Sequence, residues 1–133
     1  MKKSYAELFI LVHFLNNNAK DGKTKGQKKL VLIAKKVQVH LDEYNEKAEE
    51  LRLDAASVDK DGNLILNEKG NYSFSKDGLK KLNQQSKDLN LSEFEFNEIV
   101  VNNPEGLEIY TFLSGWVTGV KFKDIETIDD VEL

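Results

Sequence analysis

The stretch Leu30-Val31-Leu32-Ile33-Ala34-Lys35-Lys36-Val37-Gln38-Val39-His40-Leu41-Asp42-Glu43-Tyr44-Asn45-Glu46-Lys47-Ala48-Glu49-Glu50-Leu51-Arg52-Leu53-Asp54-Ala55 decides the fold. Leu30, Ala34, Val37, Leu41, Tyr44, Ala48, Leu51 and Ala55 alternate steps of four and three, a heptad seam sustained over about four heptads. Neither Gly nor Pro interrupts Gln27 to Ala56. The spacing therefore predicts one helix of about 45 Å, longer than a small core requires. Its N-terminal half is apolar on several sides (Val31, Leu32, Ile33, Val39), which predicts the deepest burial there. Its C-terminal half carries a narrow stripe between acidic flanks, as a coiled-coil arm does.

Upstream, Ser4 followed by Glu7 has capping-box spacing. A first helix is expected from about Ser4 to Asn16, with Tyr5, Leu8, Phe9, Val12 and Leu15 on its apolar face. Asn16–Gly26 is turn-rich and folds this helix back on the long one as an antiparallel hairpin. The first helix is only half as long, so the surplus seam must meet C-terminal elements or another chain. Downstream, Asn63–Leu66 and Asn71–Phe74 read as a β-hairpin with Tyr72 and Phe74 on one face. Ser75 caps a third helix, Lys76 to about Leu89. Glu93-Phe94-Glu95-Phe96 alternates as a half-buried strand, extended by Ile99–Val101 and placed beside the hairpin in a small three-stranded sheet. Asn103-Pro104 begins a last helix to about Trp116, with a strand over Leu107–Val117 as the alternative. No internal repeat is read. The fold class expected is α+β, mainly helical, in one domain spanning residues 1–133, with an acidic tail over 124–133.

Composition narrows the function. Of 133 residues, 40% are hydrophobic, enough for a core, and none is Cys. That removes disulfides, thiolate metal sites and cysteine nucleophiles. No apolar run reaches the ~20 residues of a membrane span. Tyr5–Leu15 holds Glu7 and His13 and reads as an amphipathic helix, not a signal peptide. A soluble domain, placed inside a cell, is expected. Residues 1–41 carry a net charge of +7 and residues 42–133 a net of −11, within a total of −4. Lys20, Lys23, Lys25, Lys28, Lys29, Lys35 and Lys36 form a candidate basic patch for phosphate. It contains no Arg fork and no interleaved aromatic, which argues against nucleic acid as the partner.

Ser57–Glu68 matches a calcium loop at its third, fifth, sixth, eighth and twelfth positions, with Asp59, Asp61 and Glu68 as the acidic ligands. Ser57 at the first position, Ile65 at the ninth and strand-like residues in place of the exit helix favour a turn entering a hairpin. His13 and His40 have no metal-ligating partner four residues away. No phosphate loop, nucleophile elbow or dinucleotide fingerprint is present. The expectation is a non-enzymatic protein without cofactor or metal. Its candidate interface is the long-helix seam at Val37, Leu41, Tyr44 and Leu51.

One resemblance bears on the origin of the chain. Leu41-Asp42-Glu43-Tyr44-Asn45-Glu46, Leu51-Arg52, Asp59-Lys60-Asp61-Gly62-Asn63-Leu64 and Gly70-Asn71-Tyr72-Ser73-Phe74 together resemble small uncharacterised proteins encoded by tailed bacteriophages, over about residues 30–91. The resemblance implies a virion or assembly role, or a factor acting in the host cytoplasm. It transfers no site residue. The function expected is a structural or protein-interaction protein that associates with itself or another protein; the alternative is a small nucleic-acid-associated regulator using the Lys20–Lys36 cluster.

Overall fold

Two helices begin by the same device. Ser4 Oγ accepts from the Glu7 amide at 3.1 Å while Glu7 Oε1 accepts from the Ser4 amide at 3.2 Å. Thr24 Oγ1 accepts from the Gln27 amide at 3.0 Å and Gln27 Oε1 from the Thr24 amide at 3.1 Å. Each pair satisfies donors that a helix start leaves without partners. In the computed structural model, which describes residues 1–123, these boxes open α1 (Tyr5–Ala19) and α2 (Lys25–Ala55). Lys20 and Gly22, at φ 48° and 66°, turn the chain between them. Tyr5 and Phe9 at the start of α1 meet Tyr44 far along α2, with ring centroids 5.4 and 4.7 Å apart. The pair is therefore the expected antiparallel hairpin, in a mainly helical α+β fold. The acidic tail at 124–133 lies outside the described residues.

The seam of α2 is closed from both sides. Its first half packs on α1; its second half packs on α3 (Lys76–Leu91), which runs back along it. Tyr44 Oη donates to Asn90 Oδ1 at 2.6 Å, tying the far end of α3 to the middle of α2. No residue of α3 is fully buried, so this half is a two-helix arm, while the deep core lies at the other end.

An eight-residue repeat, not read from the sequence, links α2 to α3. Asp59 Oδ1 accepts from the amides of Asp61 and Asn63 at 2.9 and 3.0 Å. Eight residues on, Asn67 Oδ1 accepts from Lys69 and Asn71 at 2.9 and 3.1 Å. Gly62 and Gly70, at φ 85° and 79°, hold the left-handed position in each turn. After eight more residues Ser75 Oγ accepts from the Gly78 amide at 2.9 Å, but here the turn continues as α3. Ser57, Ile65 and Ser73, one per unit, close a ring of backbone bonds: Ile65 N to Ser57 O at 3.0 Å, Ser73 N to Ile65 O at 3.0 Å, and Ser57 N to Ser73 O at 2.8 Å. The expected β-hairpin of Asn63–Leu66 and Asn71–Phe74 does not form as two strands: it is reduced to the single Leu66–Tyr72 bridge, beside a Val58–Leu64 bridge, because the backbone bonds go to the triangle instead.

The strand at Glu93–Glu95 (β2) does not join the hairpin as expected. It pairs antiparallel with β1 (Lys2–Ser4), Lys3 opposite Phe94. Ile99–Val100 is a separate strand, β3, parallel to β4 (Val117–Thr118). No helix runs from Pro104 to Trp116. Turns and one 3-10 turn at Thr111–Leu113 occupy it, because Gly106 and Gly115 adopt φ 88° and 87°, which a helix cannot contain. Leu107, Leu113, Trp116 and Val117 nonetheless enter the core beside Tyr5, Leu8, Leu15, Leu30 and Phe94.

This segment packs on α2 through two glycines. A Cβ on Gly26 would collide with the Gly106 carbonyl oxygen, and one on Gly106 would lie 2.9 Å from the Gly26 nitrogen. Gly26→Ala must push the 104–110 turn away from the first turn of α2. It is expected to lower stability by about 2 kcal/mol, read as a reduced denaturation midpoint at unchanged helix signal; an unchanged midpoint would show that the contact is loose.

Candidate interaction surfaces

Three of the four seam residues expected to meet a partner pack into or against the core of the chain itself. Val37 is fully buried. Leu41 and Tyr44 are half-buried against the core, where the Tyr44 ring lies edge-on to Phe9. Leu51 lines a groove of about 420 Å³ between α2 and α3, with Gln85 and Leu89. Val37 is thus corrected from interface to core, and the surplus seam of α2 meets α3.

The lysine cluster is divided in space. Lys23 lies 3.2 Å from Asp21 and Lys25 lies 3.6 Å from Glu105. Lys29 donates to the Glu105 carbonyl oxygen, so it helps anchor the C-terminal segment to α2. Lys20, Lys28, Lys35 and Lys36 are exposed and form no ion pair among the described residues. Lys28, Lys35 and Lys36 lie on the outer side of α2.

The calcium-loop residues are used otherwise. Asp59 gives one carboxylate oxygen to two backbone amides, and these, Asn63 first and Asp61 second, hold its carboxyl below the usual carboxylate range. Glu68 belongs to the next turn, and no group of three His, Cys, Asp or Glu that could hold a metal occurs among the described residues. His13 shares a 3.0 Å hydrogen bond with exposed Asn17. His40 stacks on Phe94 with centroids 4.5 Å apart, within the aromatic core.

A feature the sequence reading missed is a cleft of about 370 Å³ between α1 and the C-terminal segment. Ile10 and Phe14 form one wall and Phe112 and Trp116 the other; the Phe14 and Phe112 rings stack at 5.3 Å. Lys3 Nζ sits 4.7 Å over the Trp116 ring, placing a cation at one edge. Ile10 remains 59% and Phe14 41% exposed. The signal in the sequence was their i, i+4 spacing off the main stripe of α1. Nothing local shows that Phe112 and Trp116 come to face them.

A third cleft, about 400 Å³, lies where the second turn of the repeat leans on α2. Tyr72 Oη donates to Glu49 Oε1 at 2.6 Å, while Arg52 donates from Nε and Nη2 to Glu49 Oε2 at 3.0 and 2.9 Å. Tyr72 first, then Arg52, lower the Glu49 carboxyl; Glu49 in turn raises the Tyr72 phenol. All the donors point at one carboxylate, which suits holding the turn on the helix rather than proton transfer.

No protein-family model, curated protein or solved structure matches the chain.

Two expectations follow from these carboxylates. Glu49 has a lowered folded value, so its contribution is present above its unfolded value of about 4.3 and is lost as pH falls through the lowered one. Tyr72 has the opposite sign: its contribution is present below about pH 10 and is lost as pH rises through the raised value. Tyr72→Phe should move the Glu49 carboxyl back up toward the ordinary range in a side-chain NMR titration, and an unmoved midpoint would assign the depression to Arg52. Because the Asp59 carboxylate serves backbone amides, millimolar calcium should leave the melting temperature as it is in chelator. A rise of several degrees would mean that the turn opens to bind the ion.

Proposed function

We propose that this chain is a non-enzymatic protein-interaction protein of phage origin, working in the host cytoplasm or in the virion. The phage assignment rests on the residues between 30 and 91 that resemble small tailed-phage proteins. What carries the interaction reading is the cleft beside α1: two half-exposed apolar side chains face two aromatic rings already held by the core. Aromatic anchors in a preformed recess, with little freedom left to lose, are the usual centre of a protein interface. The partner would insert an aliphatic or aromatic side chain between Phe14 and Trp116, with its polar flank near Lys3. The original long-helix reading shifts accordingly, since the inner seam of α2 is spent on α1 and α3.

The second reading, a nucleic-acid-associated regulator, draws on Lys20, Lys28, Lys35 and Lys36. It is weakened by the engagement of Lys23, Lys25 and Lys29 and by the acidic residues further along the same helix.

The test immobilises the chain and passes over it extract from infected and uninfected host cells, at moderate salt, with and without nuclease. A stoichiometric protein partner is expected, retained after nuclease and lost with Phe14→Asp or Ile10→Asp at unchanged helix content. Retention of the same protein by both variants would remove the cleft from the reading. Retention that nuclease abolishes would replace it with the lysine cluster.

A further inference from the structure

The side of α2 turned away from the core has its own order. Leu32, Val39, Glu46 and Leu53 follow one another at steps of seven, a single position of the heptad. The three apolar members are 57%, 54% and 43% exposed, the first two within the body of α2 and Leu53 in its last turn. Lys28 and Lys35 lie on this stripe's N-terminal half, and Glu43 and Glu50 on its C-terminal half, all exposed. The outer face is therefore a mixed strip, with Lys28 and Lys35 beside Leu32 and Val39 in its N-terminal half and Glu43, Glu46 and Glu50 ahead of Leu53 in its C-terminal half. Neither α1 nor α3 covers it.

We propose that the occupant of this strip is a second copy of the chain, packed antiparallel about a two-fold axis through Val39. Charge selects this arrangement. In a two-fold pair each residue i faces residue 78−i of the partner, so Lys28 faces Glu50 and Lys35 faces Glu43, and each contact occurs twice. Val39 meets its own copy at the centre. A parallel pair would match Leu32, Val39 and Leu53 with their own copies, but it would also set Lys28, Lys35, Glu43 and Glu50 each against its own copy, four like-charge rows along about 33 Å of helix. In the antiparallel pair, by the same rule, Leu32 faces Glu46 and Leu53 faces Lys25, so Val39 alone meets an apolar side chain, and the charges rather than apolar contact hold and orient the pair. The dimer is thus weak and salt-sensitive. It leaves the cleft beside α1 free, so the proposal does not depend on the partner reading above.

Sedimentation velocity over a concentration series tests it. Self-association is expected at about 50 mM salt and should weaken several-fold by about 500 mM, as the screening length shortens from more than 10 Å to about 4 Å. Val39→Asp should weaken it at least about tenfold. The deciding measurement uses two charge-reversed variants, K28E/K35E and E43K/E50K, whose substitutions are all exposed. Each alone should sediment as a monomer, because every facing pair becomes like-charged; an equimolar mixture should dimerise at least as tightly as the original chain. Monomers at all concentrations for the original chain would overturn the proposal. So would a dimer indifferent to Val39→Asp, or charge variants that fail to recover on mixing.

Discussion

A helix of 31 residues cannot bury its apolar stripe against one of 15, and the rest of the molecule is arranged around that mismatch. The half of α2 that α1 reaches becomes the core, filled by Leu30, Ile33 and Val37 from one side and by Leu107, Leu113 and Trp116 from the C-terminal segment. The other half needs a separate cover, which α3 supplies only after the chain reverses direction. The eight-residue units are what reverse it within the space between two helices. They do so by closing their backbone groups on one another, so that few side chains are needed for a core there.

Most of the helical framework was legible because its signals are local. The heptad seam, Ser4 with Glu7, and Ser75 all report on residues within a turn of themselves. The end of α1 was placed early because Asn16–Asn18 read as a breaker, whereas the helix runs on to Ala19. What failed was non-local or disguised. β1 is three residues, two of them Lys, and its strand character exists only because Phe94 and its neighbours pair with it. Leu107, Tyr110, Leu113 and Trp116 recur every three residues, which suits a run of tight turns as well as a helix; the glycines between them decide for turns. The eight-residue repeat escaped notice because its key position changes from Asp59 to Asn67 to Ser75, three different names for one short hydrogen-bond acceptor.

The candidate surfaces divide in the same way. Apolar residues on the α2 seam were correctly read as buried against something, but sequence spacing cannot say whether that something is the same chain. Ile10 and Phe14 were passed over because they sit off the main stripe, and such residues matter when distant elements present aromatic rings to them. The lysines illustrate the converse. A cluster dense in sequence is split when Glu105, 76 residues after Lys29, folds onto the start of α2.

The pairing of Lys2–Ser4 with Glu93–Glu95 has a consequence for how the chain is made. β1 leaves the ribosome well before its partner, which lies some 90 residues later and carries the core ring Phe94; Phe96 and Trp116, which complete the core, come later still. Closing so long a loop is slow compared with forming a helical hairpin. During synthesis α1 and α2 must therefore wait with Leu8, Leu15, Leu30 and Val37 only partly sheltered, while the turn triangle and α3 form beside them from short-range contacts. A nascent chain that has emerged only to residue 90 would expose those side chains to protease or chaperone, and one that has emerged beyond residue 118 would not. The order in which this fold is sealed is set by its last irregular segment, not by its helices.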